Sequence, residues 1–529
     1  MDRRQQKDSE KKGKKTMLNL RTGPEGFAPR RWEPAEGVIL GPEEENPFLT
    51  TSVSGILEGP LGKQELQGFY DGEGRYIVRF MPQMEGPHKL TVSADFLSGP
   101  MTANFVVGKA AEGNHGPVHV AKTHHFAYAD GTPYISLGTT CYVWPWQTDE
   151  VIEQTLDTLS QSCFNKIRFC IFPKHYPYNL SEPRSYPYVG TPMDSSVLTD
   201  ENFLFYGPHA QGNHWQFDRF NPSHFRHLEM CIRHLMKLGI QADIILFHPY
   251  DRWGFSCMGR EADLLYIRYV VARLSAFPNV WWSLANEYDL LQEKHLSDWE
   301  AIAEELIRCD PNQHLRSIHH CMSPYDASRP WVTHVSWQRT DLYKSGEITQ
   351  ELISRYHKPV VMDEIAYEGN IQYGWGNLTG EELVRRFWET ALRGGYPGHG
   401  ETFLDESCVL WWSHGGVLHG ESPSRIAFLA DVLATVPGGY LKRSERCEWD
   451  EVRAEPDLPG DSGYILCYYS FMRPSFREFR MHDEEAYLAE VIDTWNMTIE
   501  RAGIFQGHFR VSLPARPYMA IRLTRVRGI

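Results

Sequence analysis

The chain has 529 residues, of which 42% are hydrophobic and 23% charged, a composition that is ordinary for a globular protein with a large core. Its formal net charge of -15 argues against nucleic acid and anionic membranes as main partners, because both attract basic surfaces. No run of 18 apolar residues predicts a membrane span, and residues 1–20 lack the apolar core of a signal peptide. The ten cysteines include no Cys-x-x-Cys pair, so we expect reduced thiols and a cytoplasmic location.

The first predicted domain is a small β-sandwich over residues 28–108, preceded by a basic, disordered tail over residues 1–27. Alternating apolar runs at residues 76–80 and 89–92 are separated by turn sequences that are rich in glycine. About eighty residues with this pattern suit a sandwich of short strands. A segment rich in Gly, Ala, Asn and Pro at residues 108–117 predicts a linker.

Strand-like and helix-like patterns alternate over residues 118–437. Amphipathic helices are predicted at residues 149–162, 223–238 and 379–393, the second ending before Gly239 and the third opening with a Thr379–Glu382 capping box. Eight strands alternating with helices over this length predict a (β/α)₈ TIM barrel, an α/β fold. A doubly wound sheet shares the alternation, but no Gly-rich phosphate loop follows the first strand. The predicted strands are 134–138, 166–171, 241–247, 280–285, 316–320, 332–336, 359–363 and 408–412.

Residues 438–529 return to a β pattern and predict a second small β-sandwich. Strand-like runs occur at residues 464–469, 508–511 and 519–523, and prolines at 514 and 517 mark turns. Neither β-domain contains an obvious aromatic platform for sugars. We therefore expect both domains to brace the barrel.

Two carboxylates follow predicted barrel strands at the positions where catalysis is expected. Asn286 and Glu287 come directly after the fourth strand, and Glu364 comes after the seventh. Glycosidic cleavage requires one protonated and one ionised carboxyl group on either side of the scissile bond. The pair therefore indicates a glycosidase, and an ordinary salt bridge at the barrel rim is the alternative interpretation.

This arrangement resembles clan A, a large superfamily of retaining glycoside hydrolases. The resemblance implies that Glu287 is the acid/base, that Glu364 is the nucleophile and that Asn286 contacts the sugar 2-hydroxyl. The runs GFYDG at residues 68–72 and LWWSHGG at residues 410–416 are more narrowly similar to apiosidase-like barrel proteins with an N-terminal β-sandwich and a short C-terminal β-domain. That likeness implies plant-derived substrates.

Further side chains at the predicted rim are candidates for binding the substrate. Clan A implies that Arg168 holds the ionised nucleophile. Many clan A enzymes also carry a Tyr after strand six that orients the nucleophile; this sequence has none there, and Tyr343 or Tyr367 could replace it. Structural roles remain equally open for several of the others, which are His248, His319, Gln338, Glu401 and Trp412.

The sequence therefore predicts a retaining, exo-acting glycoside hydrolase for oligosaccharides or glycosides, with no cofactor and no metal. A homo-oligomer stays open. One alternative is a carbohydrate-binding protein without activity. Another is a metal-dependent barrel hydrolase, prompted by 23 His, but neither HxH nor HExxH occurs. We expect the adjacent pairs His124–His125 and His319–His320 to point to opposite faces, so that neither pair shares an ion.

Overall fold

The computed structural model describes residues 17–23, 26–339, 341, 344–404, 410–446, 448 and 450–526. At the N-terminus, a short helix Pro47–Thr50 accompanies seven antiparallel strands around an apolar core. Residues 62–67 of one long strand pair with one half of this sheet and residues 68–70 pair with the other half, so that the strand joins the two halves. The strands in spatial order are Asn19–Arg21, Ala35–Leu40, Arg75–Phe80, Gly62–Tyr70, Val53–Gly59, Gly86–Ala94 and Met101–Val107.

The centre of the molecule is the predicted (β/α)₈ barrel. Its parallel strands pair in chain order from β1 to β5 and from β6 to β8, and β8 pairs with β1. Between β5 and β6, the backbone N–H of Thr333 donates to the carbonyl of Arg316 at 2.9 Å. The strands are Gly138–Thr140 (β1), Lys166–Cys170 (β2), Gln241–Phe247 (β3), Val280–Ala285 (β4), Arg316–Ser317 (β5), Val335–Gln338 (β6), Val360–Glu364 (β7) and Tyr396–His399 (β8).

The three predicted barrel helices form close to their expected limits. Gly239 follows the second of them with a φ of 73°, a conformation that favours glycine. Thr379 caps the third by accepting from the N–H of Glu382 at 3.3 Å, whereas the Glu382 carboxylate pairs with Arg385 and Arg386. The helices are Asp149–Ser160 (α1), Pro222–Lys237 (α2), Arg260–Leu274 (α3), Leu296–Cys309 (α4), Thr349–Tyr356 (α5), Gly380–Leu392 (α6) and Ser422–Ala434 (α7).

Two of the predicted barrel strands are wrong. Residues 133–134 belong to an outer antiparallel sheet with Val118–Ala121 and His125–Tyr128, and the first barrel strand begins only at Gly138. The eighth strand is β8 rather than 408–412, where residues 405–409 lie outside the described part and Trp411–His414 is helical. The sequence around β8 predicts a loop because it is rich in glycine. A side chain at Gly398 would approach the carbonyl of Asp363 to 2.6 Å, so close strand packing requires glycine there.

The C-terminal part forms a six-stranded antiparallel sheet with an apolar core and a separate pair, Phe476–Arg480 with His508–Ser512. The predicted strands near 464, 508 and 519 are all present. Seven cysteines of the described part, at positions 141, 163, 170, 231, 257, 309 and 321, have free thiols. Within the described residues, no helix is long and apolar enough to cross a membrane. The six strands in spatial order are Leu441–Arg443, Val452–Pro456, Tyr464–Tyr468, Met519–Arg525, Ala486–Asp493 and Thr498–Gln506.

Buried ion pairs attach the N-terminal sheet to the outer helices of the barrel. Arg79 of the sheet donates to Glu229 of α2 at 3.0 Å, and Arg273 of α3 donates to the same carboxylate at 2.6 Å. Burial alone would raise the pKa of Glu229, but the two guanidinium groups lower it to about 2. On the other side of the barrel, the ring of Trp388 in α6 lies 5.4 Å from that of Tyr468 in the C-terminal sheet.

Candidate active site

Glu364 ends β7 at the carboxyl end of the barrel, where its side chain is nearly buried. Arg168 of β2 donates to its Oε1 at 3.0 Å, the hydroxyl of Tyr142 donates to the same oxygen, and Nε2 of His319 lies 3.4 Å away. Burial alone would raise the pKa of Glu364, but His319, Arg168 and the Tyr142 hydroxyl lower it to about 2. The Glu364 carboxylate is therefore ionised at neutral pH. Among the described residues, none donates a hydrogen bond to its other oxygen, Oε2.

Glu287 follows β4 and faces the same opening. Its backbone adopts a left-handed conformation with a φ of 47°, which is costly for a residue with a side chain and is typical of functional sites. The hydroxyl of Tyr250, which follows β3, donates to Glu287 Oε2. The side-chain amide of Asn286 donates to the same oxygen at 3.2 Å.

Tyr142, which follows β1, connects the two carboxylates. Its hydroxyl lies between Glu364 Oε1 and Oδ1 of Asn286, the latter at 3.3 Å, and Asn286 in turn contacts Glu287. Burial and the neighbouring Glu364 charge raise the pKa of Tyr142 well above its ordinary value, so the hydroxyl keeps its proton and acts as a donor. The ends of β1, β2, β4 and β7 therefore bring both carboxylates into one hydrogen-bonded cluster.

His319 is held in place by the strands beneath it. Its Nδ1 lies 2.9 Å from the hydroxyl of Ser336, which donates to Asp363, and its Nε2 lies 3.1 Å from Oε1 of Gln338. His320 instead packs its ring against the indole of Trp337. His319 and His320 therefore point to opposite faces, as predicted, and His319 is the one that faces Glu364.

Aromatic side chains form one wall of the opening. The ring of Trp412 lies 5.0 Å from that of Trp375, and Trp375 is nearly parallel to the partly exposed ring of Tyr373 at 6.1 Å. Trp411 instead donates its indole N–H into the barrel, to the hydroxyl of Thr139 at 2.8 Å. Of the two adjacent tryptophans, Trp412 is therefore the one that faces the site.

Two of the predicted site residues have other partners. His248 is buried, with Nε2 3.3 Å from the backbone carbonyl of Phe172, and burial lowers its pKa to about 3. Glu401 accepts from the backbone N–H of Gly420 at 2.8 Å, and burial, with the nearby Glu368 carboxylate, raises its pKa to about 7. Among the described hydrogen bonds, none joins His248 or Glu401 to the carboxylate pair.

The sequence analysis did not identify three side chains near the carboxylate pair, which are Tyr142, Tyr250 and Lys174. Tyr142 lies two residues after β1, so correct placement of that strand would have identified it, and Tyr250 lies two residues after His248. Lys174, in the loop after β2, carried no signal because its position depends on tertiary packing. Of the two tyrosines considered for orienting the nucleophile, Tyr343 lies outside the described residues, and no described hydrogen bond joins Tyr367 to Glu364.

One candidate metal cluster lies at the opposite end of the barrel. Ligand atoms of His124, His125 and Asp457 all fall within 4.8 Å of one another. His125 also contacts Tyr396, the first residue of β8, at 2.9 Å, which places the cluster at the amino end of the strands. The rings of His124 and His125 lie 4.3 Å apart, so this pair does not point to opposite faces as expected. The cluster is separate from the carboxylates.

Comparisons with known proteins agree with this fold. Residues 121–424 match the family model described as the apiosidase-like catalytic domain, and residues 29–95 and 449–524 match two domains of unknown function, DUF5060 and DUF5605. The crystal structure of a candidate glycoside hydrolase from Bacteroides vulgatus is 33% identical, with a TM-score of 0.86, over 94% of this chain and 99% of that one.

A family 5 glycoside hydrolase from Bacteroides vulgatus shares the fold more distantly. It has a TM-score of 0.57 and 15% identity over 78% of this chain and 93% of its own. No curated protein sequence matches the chain.

Proposed function

The chain belongs to the apiosidase-like family and is an O-glycosyl hydrolase, and we propose that it acts with retention through Glu287 as acid/base and Glu364 as nucleophile. The observation that carries the proposal is the different environment of the two carboxyl groups. Glu364 is held ionised by Arg168 and other donors on one oxygen, whereas the donors of Glu287 are a tyrosine hydroxyl and an amide. Such a difference supports Glu364 as the nucleophile and Glu287 as the acid.

In the first step, Oε2 of Glu364 attacks C1 of the sugar while Glu287 gives its proton to the leaving oxygen. The C1–O bond breaks and a glycosyl ester forms on Glu364. The Tyr142 hydroxyl and Arg168 hold the other oxygen of Glu364, so the carboxylate attacks with a fixed orientation. We assign the neighbouring sugar hydroxyl to Asn286, whose amide contacts Glu287.

In the second step, Glu287 takes a proton from water, the water oxygen attacks C1, and the bond from C1 to Glu364 breaks. Two inversions at C1 give net retention. Trp412 supplies a face for the sugar ring, with His319 and Gln338 beside the nucleophile as further contacts. We propose exo action on plant-derived oligosaccharides or glycosides, because only 6% of Glu287 and of Glu364 is exposed. Such burial suits the end of an oligosaccharide better than its middle.

The test is a panel of aryl glycosides, with Glu364→Gln and the matched surface variant Glu293→Gln run beside the parent protein. We expect turnover by the parent and by Glu293→Gln, loss of turnover in Glu364→Gln, and a first product with the anomeric configuration of the substrate by NMR. Glu287→Ala should retain the first step for activated leaving groups, which need little protonation. An inverted product, or full activity of Glu364→Gln, would contradict the proposal.

A further inference from the structure

Lys174 is a buried cation inside the proposed sugar site. Its Nζ lies 3.6 Å from the ring centre of Tyr142 and 4.3 Å from the ring centres of both Tyr250 and Trp412. The ring of Tyr176 is 5.2 Å away, and Lys174 is only 2% exposed. The ammonium group is therefore placed over the same indole that we assign to the sugar ring.

Among the described residues, no oxygen acceptor binds this ammonium group by a hydrogen bond or an ion pair. The charges of Glu287 and Glu364 act on it from a distance, but both carboxylates already receive hydrogen bonds from other donors. Burial lowers the pKa of Lys174 to about 8, so that the side chain is still mostly protonated at neutral pH. The four aromatic rings offset part of the cost of burying this cation, and a ligand carboxylate would offset more of it.

The reaction makes this cation harder to accommodate. In the first step Glu287 is protonated and the Glu364 carboxylate is paired with Arg168, so neither carboxyl group forms an ion pair with Lys174. The transition state of glycoside cleavage places further positive charge on the sugar ring. Two like charges in a low-dielectric site repel each other strongly, and a neutral sugar does nothing to reduce that repulsion.

We propose that Lys174 binds the carboxylate of a uronic acid, so that the sugar held beside Glu364 is an acidic one. The carboxylate would pair with the ammonium group and offset the charge that develops on the ring. The proposal rests on the proposed function, since it assumes that this opening holds the sugar. A sulfate ester on the sugar carries the same single negative charge. The experiment below distinguishes a uronic acid from a sulfated sugar.

The decisive measurement is ligand binding by the catalytically blocked Glu364→Gln protein. Methyl uronosides are compared by calorimetry with methyl hexosides of the same ring configuration and with their 6-sulfates. We expect the acid of at least one set to bind about ten- to a hundredfold tighter than its neutral partner, as for one charge-assisted hydrogen bond. Equal binding across all sets, or tighter binding of the sulfate, would overturn the assignment without any further variant.

Lys174→Met in the same background tests whether this residue is the cause, because methionine keeps the bulk and removes the charge. The preference for the acid should disappear, whereas Lys174→Arg should keep most of it; a preference that survives Lys174→Met overturns the proposal. Failure of the proposed function would look different. If Lys174 selects the acid but the parent inverts the anomeric centre, the mechanism is wrong. If the parent retains configuration but shows no preference for acids, only the Lys174 assignment is wrong.

Discussion

Replacing Tyr142 by phenylalanine tests the central contact of the site. The ring still packs against Trp412, so only the hydroxyl that donates to Glu364 is lost. A hydrogen bond to a charged group contributes about 1.5–3 kcal/mol, which corresponds to about one to two pKa units. The pKa of Glu364, held at about 2 in the parent, should therefore rise to about 3–4, and the carboxylate should still be ionised at neutral pH.

The assay is the dependence of kcat/KM on pH from about pH 3 to 7, with an aryl glycoside whose leaving group needs no protonation. The acidic limb reports protonation of the nucleophile in the free enzyme and should move upwards in Tyr142→Phe. Tyr367→Phe is the matched control, because no described hydrogen bond joins its hydroxyl to Glu364, and it should keep the parent profile. If both variants behave alike, or if the acidic limb does not move, the assigned role of Tyr142 is refuted.

Two further predictions concern stability. Glu229→Gln leaves the buried Arg79 and Arg273 without their shared carboxylate. The free energy of unfolding, measured by denaturant titration, should therefore fall by about 3–5 kcal/mol. A loss below about 1 kcal/mol would show that other contacts hold the N-terminal sheet. Lys174→Met removes a cation whose pKa falls from 10.5 to about 8 on folding, so it should stabilise the protein by about 3 kcal/mol at neutral pH. Since the native state binds fewer protons, that advantage should shrink as the pH rises from about 8 to 10.5, and a constant difference would contradict the buried charge.

The fold was largely readable from the sequence because its main signals are local. Apolar strands such as β3 and β4 are buried on both faces and form at their predicted limits, and α1, α2 and α6 carry the helical period and their terminal residues. The errors fall where local pattern and tertiary environment disagree. At Gly398 in β8, the neighbouring backbone of β7 leaves no space for a side chain, and that neighbour is distant in sequence.

The same division applies to the site. The sequence by itself determined that Glu287 and Glu364 follow barrel strands, since the carboxyl ends of parallel strands meet at one face of a barrel. It could not determine which side chains surround them, because a hydrogen bond depends on distances between loops that join different strands. Only the tertiary structure places Tyr142 between the carboxylates, directs Glu401 to the backbone before α7, and brings Lys174 among four aromatic rings. Donors and charges on other strands, which are not a property of a short segment, then lower the pKa of Glu364 against the effect of burial.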